Sequence, residues 1–226
     1  MSRHALVTGA SSGIGRAIVA RLLREGWRVT GLSRSAGGEA HPALRHLAVD
    51  LFDEAALTTT LAALSSPDAV IHAAGMMQAA PLGALDGEIS QRLWRLHVYA
   101  AEVIANALVD RLPDGGRIIL VGSRTSRGAA GRSQYVSTKA ALVGMARSWA
   151  AELAPRGITV NVVAPSATAT PMLDGPGRAS SPPKLPPIGR YIQPDEVAAL
   201  TSFLLSPAAA AITGQEIAIC GGASLG

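Results

Sequence analysis

The amino-acid sequence predicts an α/β fold, a single domain built as a doubly wound, seven-stranded parallel β-sheet flanked by helices. Three observations predict it. Short apolar, partly β-branched runs alternate with longer stretches of helical apolar spacing along the whole chain. The first such run leads into a glycine-rich turn that opens directly into a helical pattern. At 226 residues, 48% hydrophobic and with a mean hydropathy of +0.28, the chain can bury one substantial core. Aromatic residues make up only 4%, and the abundance of Ala and Gly suits tightly packed layers of helix on sheet.

In order, Ala5–Thr8 reads as the first strand and Gly13–Glu25 as the first helix. Arg28–Leu32 is the second strand. The segment after it, Ser35 to Pro42, is too rich in Gly and Ala and too poor in periodicity for a helix, so this crossover is predicted as a loop. His46–Val49, Ala69–His72, Arg117–Val121, Thr159–Ala164 and Glu216–Ile219 supply the remaining strands, with helices at Asp53–Leu64, Glu88–Leu112, Gln134–Leu153 and Asp195–Leu205. The last helix starts with Pro-Asp-Glu, which suits a helix N-terminus. The Pro-, Gly- and Ser-rich stretch from Asp174 to Pro187 argues against regular structure. Right-handed crossovers then deliver the loops after Thr8, Leu32, Val49, His72, Val121 and Ala164 to one crevice.

The net charge of +4 and pI near 9.8 raise the question of nucleic acid. The arginines are scattered, however, and neither a basic run, Arg-aromatic interleaving nor zinc-ligand spacing appears, so no nucleic-acid partner and no metal site are expected. The lone Cys220 cannot form an intrachain disulfide and is expected in the core at the end of the last strand. With no signal-peptide pattern and no apolar stretch of membrane-spanning length, a cytoplasmic location and no membrane contact are expected.

Two constellations carry chemistry. Tyr135 and Lys139 stand four residues apart, one helical turn, so a phenol and an ammonium project from one face and the cation can stabilise a phenolate. Only two lysines accompany 18 arginines, and Lys, unlike Arg, can give up its proton. At the N-terminus, Gly9 permits the tight turn, Gly13 lets backbone amides approach a pyrophosphate, and Gly15 allows close packing of helix on strand. A Gly-rich turn of this kind can also bind nothing.

Thr8-Gly9-x-x-x-Gly13-Ile14-Gly15, His72-Ala73-Ala74-Gly75, Ser123 followed by Tyr135-x-x-x-Lys139, and Asn161-Val162-Val163-Ala164-Pro165 with Thr170 occur in the order of the short-chain dehydrogenase/reductase family, which the chain resembles over nearly its whole length. The resemblance implies a Rossmann fold and hydride transfer between a nicotinamide and a carbonyl or secondary alcohol. It assigns Tyr135 as proton donor, Ser123 as a second donor to the developing oxyanion, and Lys139 as a holder of the ribose hydroxyls that depresses the Tyr135 pKa. Ser126 is a weaker alternative to Ser123, which lies one residue closer to Tyr135 than the family usually has it. Gly9, Ser11, Ser12, Gly13, Ile14, Ala73, Ala74, Gly75 and Pro165 would line the dinucleotide, with Asp50 and Leu51 at the adenine. A solvated helix-cap Asp would look much like Asp50. Thr170 would hold the nicotinamide carboxamide, with Thr168 close enough to compete, and residues 171–193 would form a substrate lid.

No carboxylate follows the second strand; Ser33 and Arg34 stand there instead, so NADP(H) is favoured and NAD(H) remains admissible. His72 and His97 replace asparagines usual in the family, and Ser166 replaces a glycine. His97 would support a proton relay behind the tyrosine, or be a plain buried helix histidine. The expected partners are a small-molecule carbonyl or alcohol substrate and further copies of the chain, as a homodimer or homotetramer. A catalytically weak NADP-binding sensor or scaffold is the alternative function.

Overall fold

The protein is seen here as a computed structural model that describes residues 2–35 and 40–225. Strands β1 (His4–Thr8), β2 (Arg28–Ser33), β3 (Leu44–Ala48), β4 (Ala69–His72), β5 (Arg117–Val121), β6 (Thr159–Pro165) and β7 (Glu216–Ile219) form one parallel sheet in the order β3-β2-β1-β4-β5-β6-β7. The winding reverses between β1 and β4. Their C-terminal residues, Thr8 and His72, are register partners at that switch point, where the diverging loops open a crevice.

Parallel strands buried on both sides read as continuous apolar runs, and alternate residues feed alternate faces. Leu6, Val70, Ile118, Leu120, Val160 and Val162 point to one core, closed by helices α2 (Glu54–Ala62), α4 (Ala100–Leu108) and α5 (Ser133–Leu153). Ala5, Val7, Ile71, Ile119 and Val163 point to the other, closed by α1 (Gly13–Arg24) and α6 (Pro194–Leu205). Asp53 caps α2 by accepting from the Ala56 amide. Gln193 and Glu196 form a capping box at the start of α6, where Pro194 fits the first turn.

Three expectations need correction. β3 starts at Leu44 rather than His46, because Val29 pairs with Leu44 from the start of β2. The expected helix Glu88–Leu112 is not continuous: α3 (Gly87–Trp94) runs into a π-helical turn, Arg95–Tyr99, before α4, and the end tightens to a 3-10 turn at Val109–Arg111. Cys220 lies just beyond β7, half-buried and against the Ser224 hydroxyl at 3.0 Å, rather than in the core. The crossover expected as a loop includes residues 36–39, which lie outside the described residues.

The stretch after β6 has a definite course. A 3-10 turn, Pro176–Arg178, sits against the loop that follows β4: Ala79 N–H donates to Gly177 O (2.7 Å) and the Ser180 hydroxyl to Ala79 O (2.8 Å). A Cβ on Gly177 would meet Met77 O at 1.9 Å, so only glycine permits this approach. Arg132, just before α5, donates to the Ser181 hydroxyl (2.8 Å) and carbonyl (3.0 Å) from the other side. No helix among the described residues is long and apolar enough to cross a membrane.

Candidate active site

The C-terminal strand ends open into a cleft of about 790 Å³ whose lining includes Ile14, Ala73, Gly75, His97, Ser123, Tyr135, Lys139, Pro165, Thr168 and Thr170. Residues widely separated in sequence thus meet in the order the topology dictates. The glycine turn adjoins the cleft, with Ile14 in the lining. Gly9 has φ of +66° and lies so close to the loop after β4 that a Cβ would meet Ala74 Cα at 2.9 Å; Gly15 packs its Cα against the Gly9 carbonyl. Gly13, φ +50°, faces the Thr170 methyl group. Ser12 stands at the N-cap of α1 but makes no side-chain cap bond, and no acidic residue occupies the first turn. The first amides of α1 are therefore left for an outside acceptor, and the glycine cradle with its uncapped helix fits the pyrophosphate of a dinucleotide.

Ser123 follows β5 and caps a 3-10 turn, Arg124–Arg127; its oxygen accepts from Thr125 N–H and lies 2.8 Å from the Thr125 hydroxyl. Gly128 and Gly131, both at positive φ, lie between this turn and Tyr135. Ser126 turns away to donate to Glu216, so of these two Ser123 is the one that lines the cleft. Tyr135 and Lys139 share one face of α5, as their spacing predicts, with Lys139 Nζ 5.8 Å from the phenol ring centroid. Thr168 donates to Ser166 O (2.9 Å) and Thr170 to Thr168 O (3.3 Å), and both line the cleft.

The expected depression of the Tyr135 pKa by Lys139 is not what the geometry gives. Desolvation raises the phenol above its ordinary value, opposed by the Ser123 hydroxyl and then by Arg178 and Arg132. Lys139 donates to Val121 O at 2.8 Å, and burial lowers its pKa to about 7. Desolvation drives each group toward its neutral form, so the titration near neutrality belongs to Lys139 rather than to Tyr135.

Both histidines are locked. The Thr138 hydroxyl donates to Tyr135 O (2.8 Å) and therefore accepts from His97 Nδ1–H (2.8 Å), while His97 Nε2 accepts from Met76 N–H (3.0 Å). With both ring nitrogens engaged, His97 has no spare position for the side-chain relay expected of it; it braces the loop after β4 against α5, its ring edge-on to Tyr135 at 5.6 Å. His72 Nε2–H donates to Leu96 O (3.0 Å), a carbonyl of the π turn, and its Nδ1 accepts from the Thr8 hydroxyl (3.0 Å). Thr8 in turn accepts from Ala73 and Ala74 N–H (3.1 Å each). Burial, then the Lys139 charge, lowers the His72 pKa to about 4, and the same causes hold His97 well below its ordinary value.

At the adenine end the expectations divide. Ser33 is buried and donates to Ser35 O (2.9 Å), with His46 Nε2 at 2.6 Å. Arg34 is exposed beside it. Asp50 is exposed and accepts from Phe52 N–H (3.0 Å), while Leu51 packs into the core. Sequence reasoning missed Thr138, Arg124, Arg132 and Arg178. The last three were legible only as cations placed next to Ser123, just before Tyr135, and within the irregular stretch.

Comparison with known proteins agrees with this geometry. A family model described as enoyl-(acyl carrier protein) reductase matches residues 9–224. The chain is 35% identical to a 3-oxoacyl-[acyl-carrier-protein] reductase of Vibrio harveyi, covering 96% of each. It superposes on a short-chain dehydrogenase family protein from Francisella tularensis with a TM-score of 0.92 at 27% identity, over 100% of both chains. It also superposes on a blue fluorescent protein from a metagenomic library, solved with NADPH, with a TM-score of 0.84 at 30% identity over 98% of each. A glycine cradle, a Ser, Tyr and Lys gathered in one cleft and a match across almost the full length lead to one conclusion: the chain belongs to the short-chain dehydrogenase/reductase family of NAD(P)-dependent oxidoreductases.

Proposed function

We propose that this protein interconverts a carbonyl and a secondary alcohol with NADP(H), using Tyr135 as acid and base. The observation that supports this most directly is the convergence of Ser123, Tyr135 and Lys139 on the cleft that Ile14 and Thr170, beside the glycine turn, also line. A nicotinamide coenzyme held between the glycine turn, Lys139 and Thr170 would supply or accept the hydride. The chain's own residues handle charge and protons at the substrate oxygen. The Ser123 hydroxyl and the Tyr135 phenol donate hydrogen bonds to that oxygen, and they bind it more strongly as negative charge develops. Tyr135, which desolvation keeps protonated beforehand, then gives its proton to that oxygen. Lys139, lowered to about 7, is poised to gain or lose a proton one helical turn away and can replenish it. Preference for NADP(H) over NAD(H) is supported by the exposed Arg34 after β2, with no Asp or Glu in the sequence from Arg28 to Ser35, and by the likeness to an NADPH-bound structure.

The test is a screen of ketones and 3-oxo esters that follows NADPH absorbance, run in parallel on Tyr135→Phe. Tyr135→Phe keeps the ring but removes the transferable proton, so kcat falls by about 10²-fold or more while NADPH still binds. A Tyr135→Phe variant with wild-type turnover would remove the mechanism.

A further inference from the structure

The substrate side of the cleft is strongly and one-sidedly cationic. Arg124, Arg132, Lys139, Arg178 and Lys184 line it, and no Asp or Glu does so among the described residues. In a chain whose net charge is only +4, such a concentration in one enclosed place is a local feature rather than a reflection of composition.

The three arginines are not equivalent. Arg132 is used by the fold: its guanidinium ties the segment Ser181-Pro182 to the start of α5. Arg124, directly after Ser123, and Arg178, at the end of the 3-10 turn that covers the cleft, have Nε atoms that are buried without a hydrogen-bond partner. The ion pairs of the described residues leave all three without a carboxylate. Their charges also reach the reacting group and one another, since Arg178 and Arg132 pull on the Tyr135 phenol while Arg178 and Arg124 both disfavour the charge on Arg132. Holding like charges together with unsatisfied donors is unfavourable unless something negative completes the set.

We infer that the substrate is an anionic carbonyl compound, one that carries a carboxylate or a phosphate, with Arg124 and Arg178 holding the anion while Ser123 and Tyr135 face the reacting oxygen. This rests on the reductase reading above. Arg124 fixes the anion from the sheet side next to Ser123, and Arg178 closes on it from above. Gly177–Met77 packing and the Arg132–Ser181 bonds set where Arg178 stands. Binding of the anion and seating of the covering segment are then one event, and neutral ketones gain no such contact.

The experiment compares kcat/KM for matched pairs with the native enzyme and NADPH: 2-, 3- and 4-oxo carboxylic acids against their methyl esters, and dihydroxyacetone phosphate against dihydroxyacetone. The expected result is a preference of about tenfold or more for the charged member of at least one pair, as a charge-assisted contact gives. The acid pairs and the phosphate pair tell the two anions apart. Arg178→Gln and Arg124→Gln each reduce that ratio about tenfold, and Arg178→Lys restores part of it. NADPH affinity, followed by its fluorescence, is measured for each variant. Turnover of neutral ketones and esters with no preference for the charged partners overturns the inference and leaves the reductase standing. Loss of NADPH affinity with an unchanged ratio also overturns it, by assigning the arginines to the coenzyme phosphates. No turnover of any carbonyl, with NADPH bound, overturns both readings.

Discussion

Lys139 shows how far one buried residue can depart from its usual behaviour. Its amine donates to the Val121 carbonyl and burial brings its pKa to about 7, so near neutrality it titrates where an exposed lysine would stay charged. Lys139→Arg keeps the charge but removes the ability to give up a proton. The expected outcome is that NADPH still binds while the pH dependence of kcat loses the limb near neutrality, read from pH-rate profiles of the two enzymes. Arg34 carries a second prediction. It is exposed, so the contact to a 2′-phosphate is partly screened, at the low end of about 1.5–3 kcal/mol. Arg34→Ala is expected to weaken NADPH about tenfold and to leave NADH nearly unchanged, measured by fluorescence titration. Equal loss for both coenzymes would take Arg34 out of coenzyme selection. The sequence singled out Lys139 and Arg34 by residue type, but the contacts of the Ser33 hydroxyl with the Ser35 carbonyl and with His46 of β3 appear only in the folded chain.

At the scale of elements, the π turn Arg95–Tyr99 is the departure with the largest consequence. It shifts the apolar stripe of the helix by one position, so that Leu93 and Val98 are both buried five residues apart, and it presents the Leu96 carbonyl to His72. Two histidines thus pin the turn, one from β4 and one from within it, and both must be neutral to make these bonds. The sign of the pH effect follows. The folded pKa of His72, about 4, is below the ordinary 6.5, so the unfolded chain binds more protons between these values. Stability is therefore complete above about pH 6.5 and falls as the pH drops through about 4, by about 3 kcal/mol for His72 alone. His97 adds in the same direction. Urea unfolding at a series of pH values should show this acid limb, and His72→Asn should flatten it, since asparagine has no proton to gain. A limb unchanged in His72→Asn would move its origin elsewhere.

For the whole molecule, α4 and α5 border a depression where Val103, Ala107, Trp149 and Leu153 stand among Glu54, Glu102 and Glu152. Partly exposed apolar groups on two neighbouring helices, rimmed by polar ones, suit an isologous contact with a second copy. We expect a homodimer or homotetramer, shown by light scattering at micromolar concentration, and expect Trp149→Glu to shift the protein toward monomer. A wild-type monomer would remove this expectation.

The sequence by itself determined the sheet, its parallel winding, the glycine cradle and the Tyr135–Lys139 pair. Each of these is written in local periodicity or short spacing, which a strand or a single helix turn converts directly into geometry. Only the tertiary structure decided what those groups do to each other. The tyrosine phenol stays high and the lysine comes down because both are desolvated in one cleft, and desolvation depends on what packs around a group. His97 became a brace because Met76 and Thr138 reach its two nitrogens from other elements. Arg124, Arg132 and Arg178, spread over more than fifty positions of the chain, became one cationic site because the segment after β6 folds back over the cleft.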